Sequence, residues 1–245
     1  MNTKAASIIS KVILSDKKIN IKLLGDSITH GVGGTGFDQN GEPIVAGFAR
    51  NPYGYCWAKQ FKEHMESQYN CEVVNNACTG TNIQFIIEKF DFLVDPEDDI
   101  ILCTIGTNNR HQYFQSGEKK SKQEYMTAFY NNIKVLYEKF KAAGKEVIFV
   151  ANIPAAAGNE RDGENYWRIF HMCDVSDLYL KASFECGFPF ISLYRAFLNY
   201  CDMKNIAVGS LLKDTLHPTD EGYDVMFKLI MDELGLARKV PGAEF

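Results

Sequence analysis

The stretch Ile-Asn-Ile-Lys-Leu-Leu-Gly-Asp-Ser, residues 19–27, joins an apolar run to a short polar turn. The run at 19–24 is typical of a buried β-strand, and the turn at 25–27 would follow the carboxyl end of that strand. In open parallel sheets, functional side chains gather at that end of the strands. We therefore expect Ser27 to present its hydroxyl at the edge of a sheet.

Further β-rich apolar runs follow this one and alternate with segments of helical period. The predicted strands are Ile19–Leu24, Cys71–Val74, Ile100–Ile105, Val147–Ala151 and Phe190–Leu193. The predicted helices between and after them are Tyr55–Tyr69, Ile83–Phe92, Lys122–Ala143, Tyr166–Cys186 and Asp220–Leu234. Such alternation implies parallel strands joined by right-handed crossovers. The predicted fold is therefore α/β, a three-layer α/β/α sandwich around a five-stranded parallel sheet.

No linker, repeat or low-complexity tract divides the 245 residues, so we predict one domain over residues 1–245. Within its first 14 residues, apolar side chains at Ile8, Ile9, Val12 and Ile13 recur with helical spacing. Residues 1–18 are predicted to form a helical extension that lies on this domain. Two lysines interrupt the segment, which argues against a signal peptide, and no run is long enough to span a bilayer.

Charge and cysteine content exclude several classes of protein. The 26 basic and 31 acidic residues give a formal net charge of −5, whereas nucleic-acid-binding domains usually carry a concentrated basic surface. The seven cysteines form an odd set without a CxxC pair, which argues against a disulfide scaffold and a structural zinc site. We expect reduced thiols, a cytoplasmic location and no nucleic-acid partner.

Polar motifs recur where the predicted strands end. Gly80 follows the second strand, Asn108 follows the third, and Asp214 and His217 precede the last helix. Together with Ser27 they supply the parts that acyl transfer requires.

Each of these residues has a predicted role. Ser27 would be the nucleophile, His217 the base that removes its proton, and Asp214 the group that orients the imidazole. The backbone N–H groups of Ser27 and Gly80 and the side-chain amide of Asn108 would form an oxyanion hole.

These motifs, in this order, resemble the blocks of the SGNH (GDSL-type) hydrolase family. The blocks are matched by Gly-Asp-Ser at 25–27, Gly80, Gly-Thr-Asn at 106–108 and Asp-Thr-Leu-His-Pro at 214–218. Asn109 departs from the pattern, because the family usually has aspartate there. The resemblance implies a flavodoxin-like sandwich, a serine hydrolase activity, and neither metal nor cofactor.

A second glycine motif is less informative. The run at 31–36 satisfies G-x-G-x-x-G, but it follows Ser27, leads into a loop and has no acidic residue about twenty positions on. Nucleotide binding is therefore not expected. We interpret the run as a flexible wall beside the nucleophile.

Three loops, at 31–52, 109–120 and 152–165, are predicted to line the mouth of the site. They carry aromatic and polar side chains, which suit an ester of a polar alcohol. They contain no contiguous apolar run, which a long acyl chain would need. Candidate substrate-binding residues are Asp26, Arg110, His111 and Tyr113; further side chains of the mouth are Arg50, Gln112, Phe114, Arg161, Tyr166, Trp167 and Arg168. The same aromatic residues could instead pack the loops down.

The resulting hypothesis is a serine esterase. Its substrate would be a small-molecule or glycan ester. This ester would join a short acyl group, acetyl above all, to a carbohydrate-like alcohol. Two alternatives share the acyl-enzyme: an acyltransferase, and a lysophospholipase or thioesterase of the same family. A non-catalytic binding module is disfavoured because every catalytic position is filled.

Overall fold

The computed structural model describes residues 2–37, 43–45, 48–49, 54–111, 120–159 and 168–236. Its strands are β1 (Ile19–Gly25), β2 (Pro43–Val45), β3 (Phe48–Ala49), β4 (Cys71–Asn75), β5 (Ile100–Thr104), β6 (Glu146–Ala151) and β7 (Phe190–Ser192). Five of them form one parallel sheet in the order β4-β1-β5-β6-β7, and β2 and β3 form a separate antiparallel pair.

Helices cover both sides of the large sheet. They are α1 (Thr3–Leu14), α2 (Ser27–His30), α3 (Trp57–Gln68), α4 (Ile83–Glu88), α5 (Phe90–Leu93), α6 (Lys122–Ala142), α7 (Met172–Cys186), α8 (Leu193–Lys204) and α9 (Asp220–Glu233). Short 3-10 helices occur at Asn108–Arg110, Ala157–Asn159 and Val208–Leu211. The predicted three-layer α/β/α sandwich with five parallel strands is confirmed.

The strand order places a crevice beside β1. In chain order the five strands run 2-1-3-4-5, the flavodoxin-like arrangement, and the chain leaves β1 and β5 toward opposite faces. The last register pair between these two strands is Gly25 with Thr104. The segments that follow them, which carry Ser27 and Asn108, therefore begin at the same level of the sheet.

Burial explains why the strands could be recognised. Every residue of β5 is buried, as are the last five residues of β1, because helices cover both faces of a parallel sheet. Lys22 is a charged residue among these buried strand residues. Its ammonium lies 2.5 Å from an Asp95 carboxylate oxygen and 3.5 Å from one of Asp98. This ion pair satisfies a charge that would otherwise be buried without a partner.

Two predicted helices differ from those observed. The segment predicted as Ile83–Phe92 is two helices, because the chain bends at Lys89, which ends α4 and precedes α5. The helix predicted from Tyr166 begins at Met172 within the described residues. Residues 168–171 are not helical, since Arg168 forms an antiparallel bridge with His111. A long-range pairing therefore replaces the first turn of the predicted helix.

Helix α8 was not predicted. Its buried residues Leu193, Phe197 and Cys201 lie four apart, on one face. The predicted strand extended to Leu193, whereas β7 ends at Ser192, whose hydroxyl accepts a hydrogen bond from the amide of Arg195. Ser192 is therefore an N-cap that ends the strand and begins the helix.

Of the N-terminal segment 1–18, residues Thr3–Leu14 are helical. Ala5, Ile9 and Val12 of α1 are buried in the same core as the sheet. The side chain of Asn2 donates to the carbonyl of Phe190, and its backbone amide donates to Glu233. The helix is thereby tied to both β7 and α9.

The part of the chain that the structure describes contains neither a disulfide nor a membrane-spanning helix. The described residues include all seven cysteines, and no disulfide joins any of them. Of the helices in the described ranges, none has the length and hydropathy needed to cross a bilayer.

Candidate active site

Three side chains from opposite ends of the chain form a continuous hydrogen-bonded row. The hydroxyl oxygen of Ser27 lies 2.9 Å from Nε2 of His217. Nδ1 of the same ring lies 2.8 Å from Oδ2 of Asp214. Ser27 is the first residue of α2, directly after β1, and the other two precede α9. The row has the geometry of a serine–histidine–aspartate triad.

Asp214 is held by its own loop. Its Oδ1 accepts hydrogen bonds from the backbone amides of Leu216 and His217, each at 2.7 Å. Partial burial acts to raise the pKa of Asp214, but these bonds and the one from the His217 ring outweigh it, and the pKa lies below its ordinary value. The carboxylate is therefore ionised, and its hydrogen bonds fix its orientation toward the His217 ring.

The neighbour of the serine, Asp26, is a buried N-cap. Its carboxylate accepts from the amide of Ile28 at 3.0 Å and from Nδ2 of Asn152 at 3.0 Å. Burial raises its pKa to about 6, while hydrogen bonds from Thr107, Ile28 and Asn152 and the charge of His217 act in the opposite direction. Asp26 thereby fixes the start of α2 to the ends of β5 and β6.

The predicted oxyanion-hole donors follow β1, β4 and β5. Gly80 has φ of +80° in the turn closed by the Thr81 amide, which donates to the carbonyl of Cys78. Nδ2 of Asn108 donates to the carbonyl of Thr81 at 2.8 Å, and Asn108 is buried. One hydrogen of this amide is thereby used to hold the turn, which leaves the other for a ligand.

The glycine run after Ser27 packs against the histidine segment. A Cβ atom on Gly33 would collide with the carbonyl oxygen of Pro218 and lie 3.1 Å from Cβ of His217. A Cβ atom on Gly34 would collide with the carbonyl oxygen of Tyr55. These glycines therefore allow the backbone at Pro218 and at Tyr55 to approach the glycine run closely. The run at 31–36, predicted as a wall of the site, contacts the segment that carries His217.

A polar cluster lies beside the triad loop. Oδ1 of Asn159 accepts from the guanidinium groups of Arg110 and Arg168, and its Nδ2 donates to the hydroxyl of Thr215. Arg168 in turn hydrogen-bonds Nδ1 of His111. Burial, then the charges of Arg168 and Arg110, lower the pKa of His111 to about 3, so its ring is neutral.

Two predicted substrate contacts need correction. Asp26 and Arg110 have no exposed surface, because each is enclosed by partners from other loops. The guanidinium of Arg110 donates to the carbonyl of Thr107 and to Asn159. Both side chains hold neighbouring segments of the site in place, and neither has exposed surface for a substrate to contact. His111 is half-buried at its edge.

Several predicted mouth residues lie outside the described ranges. They are Arg50, Gln112, Tyr113, Phe114, Arg161, Tyr166 and Trp167. Among the residues that the structure does describe, no group of three or more His, Cys, Asp or Glu side chains could hold a metal ion.

Sequence reasoning missed the residues that hold the site together. Asn152 donates to both Asp26 and Thr107, and it directly follows β6. The rule that located Ser27 and Asn108, polar residues after parallel strands, would also have found it. Tyr223 carried no such signal; its hydroxyl donates to the carbonyls of Ile28 and Val32 and fixes α2 from α9.

Solved structures share this fold over nearly their whole length. A lipase/acylhydrolase from Enterococcus faecalis matches with a TM-score of 0.64 at 18% identity, covering 88% of this chain and 95% of that one. An α/β hydrolase from the metagenome of Lake Arreo, Spain, matches with a TM-score of 0.67 at 19% identity, covering 90% and 97%. An acetylxylan esterase from Geobacillus stearothermophilus matches with a TM-score of 0.63 at 16% identity, covering 93% and 99%.

Sequence comparison gives the family. No curated protein matches the chain at a significant level. The model of the GDSL-like Lipase/Acylhydrolase family matches residues 23–225, a span that contains every segment of the site. The chain therefore belongs to the GDSL-like lipase/acylhydrolase family of carboxylic ester hydrolases.

Proposed function

We propose that the protein is a serine esterase that removes a short acyl group, acetyl above all, from a carbohydrate-like alcohol through an acyl-Ser27 intermediate. The observation that carries the proposal is the hydrogen-bonded row from Ser27 through His217 to Asp214, at 2.9 Å and 2.8 Å. A serine hydroxyl is a weak nucleophile until a neighbouring base accepts its proton, and this row supplies that base.

In the first half-reaction, Oγ of Ser27 attacks the carbonyl carbon of the ester while its proton passes to Nε2 of His217. The tetrahedral intermediate collapses when the bond to the alcohol oxygen breaks. The protonated ring gives that oxygen its proton, so that the alcohol leaves neutral. Asp214 stabilises the imidazolium in the meantime and keeps Nδ1 as the protonated nitrogen.

In the second half-reaction, water takes the place of the alcohol. His217 removes a proton from the water as its oxygen attacks the acyl carbon, and the ring then returns this proton to Oγ of Ser27. The carboxylic acid leaves and the free enzyme is restored. The overall change is one ester and one water to one acid and one alcohol.

The oxyanion of each tetrahedral intermediate requires donors on the side away from His217. We assign the backbone amides of Ser27 and Gly80 and Nδ2 of Asn108 to this role. The ordered turn at Gly80 and the buried position of Asn108 support the assignment, because donors that are fixed beforehand need no reorganisation during the reaction.

A polar alcohol is supported by the described part of the mouth. Asn159, Thr215, Arg168 and His111 form a hydrogen-bonded polar surface next to the triad loop. Hydroxyl-rich substrates suit such a surface, whereas a long acyl chain needs an apolar groove. One solved structure of the same fold is an acetylxylan esterase, which agrees with an acetylated carbohydrate as substrate.

The test is hydrolysis of p-nitrophenyl esters from two to twelve carbons, with Ser27→Ala as the matched control. We expect the acetate to give the highest kcat/KM and the Ser27→Ala variant to be inactive on every ester. A preference for the long chains would contradict the short acyl group. Wild-type turnover by Ser27→Ala would contradict the nucleophile.

A panel of acetylated sugars, assayed by release of acetate, extends the test to the alcohol. The same reactions run with an added sugar acceptor distinguish hydrolysis from acyl transfer, since a transferase would make the new ester at the expense of free acetate. Release of acetate at an unchanged rate and in full yield is the outcome expected of an esterase.

A further inference from the structure

Asn109 stands where the family usually has aspartate. Its side chain contacts the segment 81–84, which the side chain of Asn108 also contacts. Both asparagines belong to the 3-10 helix Asn108–Arg110, which follows β5. Asn109 is 1% exposed, and its backbone amide donates to the carbonyl of Gly106. Its side chain therefore reaches its partners from a fixed backbone.

Both polar atoms of the Asn109 side chain are engaged by the start of α4. Oδ1 accepts from the backbone amide of Ile83 at 3.0 Å, and Nδ2 donates to Oε1 of Gln84 at 2.8 Å. Two residues earlier, the carbonyl of Thr81 accepts from Asn108. The segment 81–84 is thus held by three hydrogen bonds, at Thr81, Ile83 and Gln84, from two consecutive residues of the same 3-10 helix.

This segment directly follows the turn that carries Gly80. The turn is closed by the amide and hydroxyl of Thr81, both of which donate to the carbonyl of Cys78. A displacement of residues 81–84 would therefore move Gly80. The backbone amide of Gly80 and the side-chain amide of Asn108 are the two donors that do not belong to the nucleophile itself.

We propose that Asn109 is a positioning residue of the oxyanion hole: it fixes the Gly80 turn to the helix that carries Asn108, so that both donors keep one separation. The proposal rests on the function proposed above and adds a residue to its machinery. Asn109 touches no reacting atom and acts through Gly80. Donors displaced from their aim stabilise the transition state less, while binding of the ground state changes little.

The chemistry of the pair predicts which substitutions are tolerated. Asn109→Asp keeps the acceptor for Ile83, and Gln84 can turn its amide so that the nitrogen donates to the new carboxylate. Asn109→Ala removes both bonds. The double variant Asn109→Asp, Gln84→Glu places two carboxyl groups face to face. At alkaline pH, where both are ionised, their repulsion would separate the segments without creating a cavity.

A purely structural role must be distinguished from positioning, and Ser192 provides the control. Its hydroxyl caps α8 by accepting from the amide of Arg195 at 3.3 Å, at the far end of the strand order from the strand that precedes Gly80. Loss of an N-cap costs about 1 kcal/mol, so Ser192→Ala should lower the midpoint of unfolding and leave kcat unchanged.

The experiment measures kcat and KM for p-nitrophenyl acetate in these variants, in Ser27→Ala and in the wild type. Asn109→Ala, and the double variant at alkaline pH, should lose on the order of 10–100-fold in kcat with KM within about twofold, since small misplacements of reacting groups cost this much. Asn109→Asp should keep kcat within about threefold of wild type. Inactivation by a p-nitrophenyl phosphonate, whose adduct on Ser27 carries an anionic oxygen, should slow in parallel with kcat.

The outcomes separate this proposal from the function on which it rests. An active wild type and inactive Ser27→Ala, with full kcat in Asn109→Ala or, at alkaline pH, in the double variant, would overturn the positioning role alone. Equal losses of kcat in Ser192→Ala and Asn109→Ala would also overturn it, since any loss of stability would then suffice. Ester hydrolysis that survives Ser27→Ala would instead overturn the proposed function.

Discussion

A Cβ atom added to Gly33 would collide with the carbonyl oxygen of Pro218, in the segment that carries the proposed base. The same atom would lie 3.1 Å from Cβ of His217. Gly33 also has φ of +100°, in the left-handed region that residues with a side chain rarely adopt. The closeness of the loop after Ser27 to the loop before α9 therefore depends on a glycine at this position.

Gly33→Ala should reduce activity far more than stability. The added methyl group pushes the His217 segment away from Ser27, and a misplacement of about 1 Å costs on the order of 10²-fold in kcat. Gly144→Ala is the matched control: Gly144 has φ of +71°, but no atom lies within 4 Å of its added Cβ. It should share the backbone strain, of about 1 kcal/mol, and keep wild-type kcat. Equal kcat in the two variants, measured beside urea unfolding, would refute the argument.

The strands and the points where they end could be predicted from the sequence because each depends on local composition. Residues 100–104 are all buried, so a continuous apolar run marks β5. The start of α7 could not be predicted, since the bridge between Arg168 and His111 joins positions far apart in the chain. The boundary at Ser192 was missed because one residue ends β7 and caps α8.

The candidate site divides in the same way. Ser27, Asn108 and His217 lie in segments that carry recognisable motifs, and the hydrogen bond between Ser27 and His217 brings two of these segments together. The role of Asp26 could not be predicted, because it depends on Asn152 and Thr107, from the segments that follow two other strands. Its side chain was predicted to contact a substrate, whereas it is buried and hydrogen-bonded to Ile28 and Asn152.

Asp26→Asn tests how this buried carboxyl affects stability. Burial raises the pKa of Asp26 from 3.8 to about 6, so between these values the folded protein binds a proton that the unfolded chain does not. Stability from this group is therefore complete below pH 3.8 and is lost as the pH rises to 6 and above. The wild-type free energy of unfolding minus that of Asp26→Asn should fall by about 2–3 kcal/mol between pH 4 and pH 7.

Urea unfolding at several pH values measures this difference, and subtraction of the variant removes the groups common to both proteins. A difference that is flat with pH would show that Asp26 titrates as in the unfolded chain. A difference that rises with pH would reverse the sign and place the pKa below 3.8.

Asn108→Ala should lower kcat for p-nitrophenyl acetate by on the order of 10²–10³-fold, the usual effect of losing one oxyanion donor. Its hydrogen bond to the carbonyl of Thr81 is lost as well, so Thr81 would leave a buried carbonyl without this donor. KM should change little, because the ground-state carbonyl binds weakly to the hole. A parallel rise in KM with unchanged kcat would instead assign Asn108 to ground-state binding.

Asp214→Asn should be less active than Asp214→Ala, although asparagine is the closer replacement. Oδ1 of Asp214 accepts from two backbone amides, so an asparagine at this position keeps its carbonyl oxygen there and turns its NH₂ toward Nδ1 of His217. The ring must then accept at Nδ1 and carry its proton on Nε2, where it cannot take the proton of Ser27. In Asp214→Ala, water can fill the place of the carboxylate, which is 56% exposed, and accept from the Nδ1–H. Steady-state kcat for a short ester at neutral pH compares the two variants, and higher activity in Asp214→Asn would mean that Asp214 does not set the tautomer of His217.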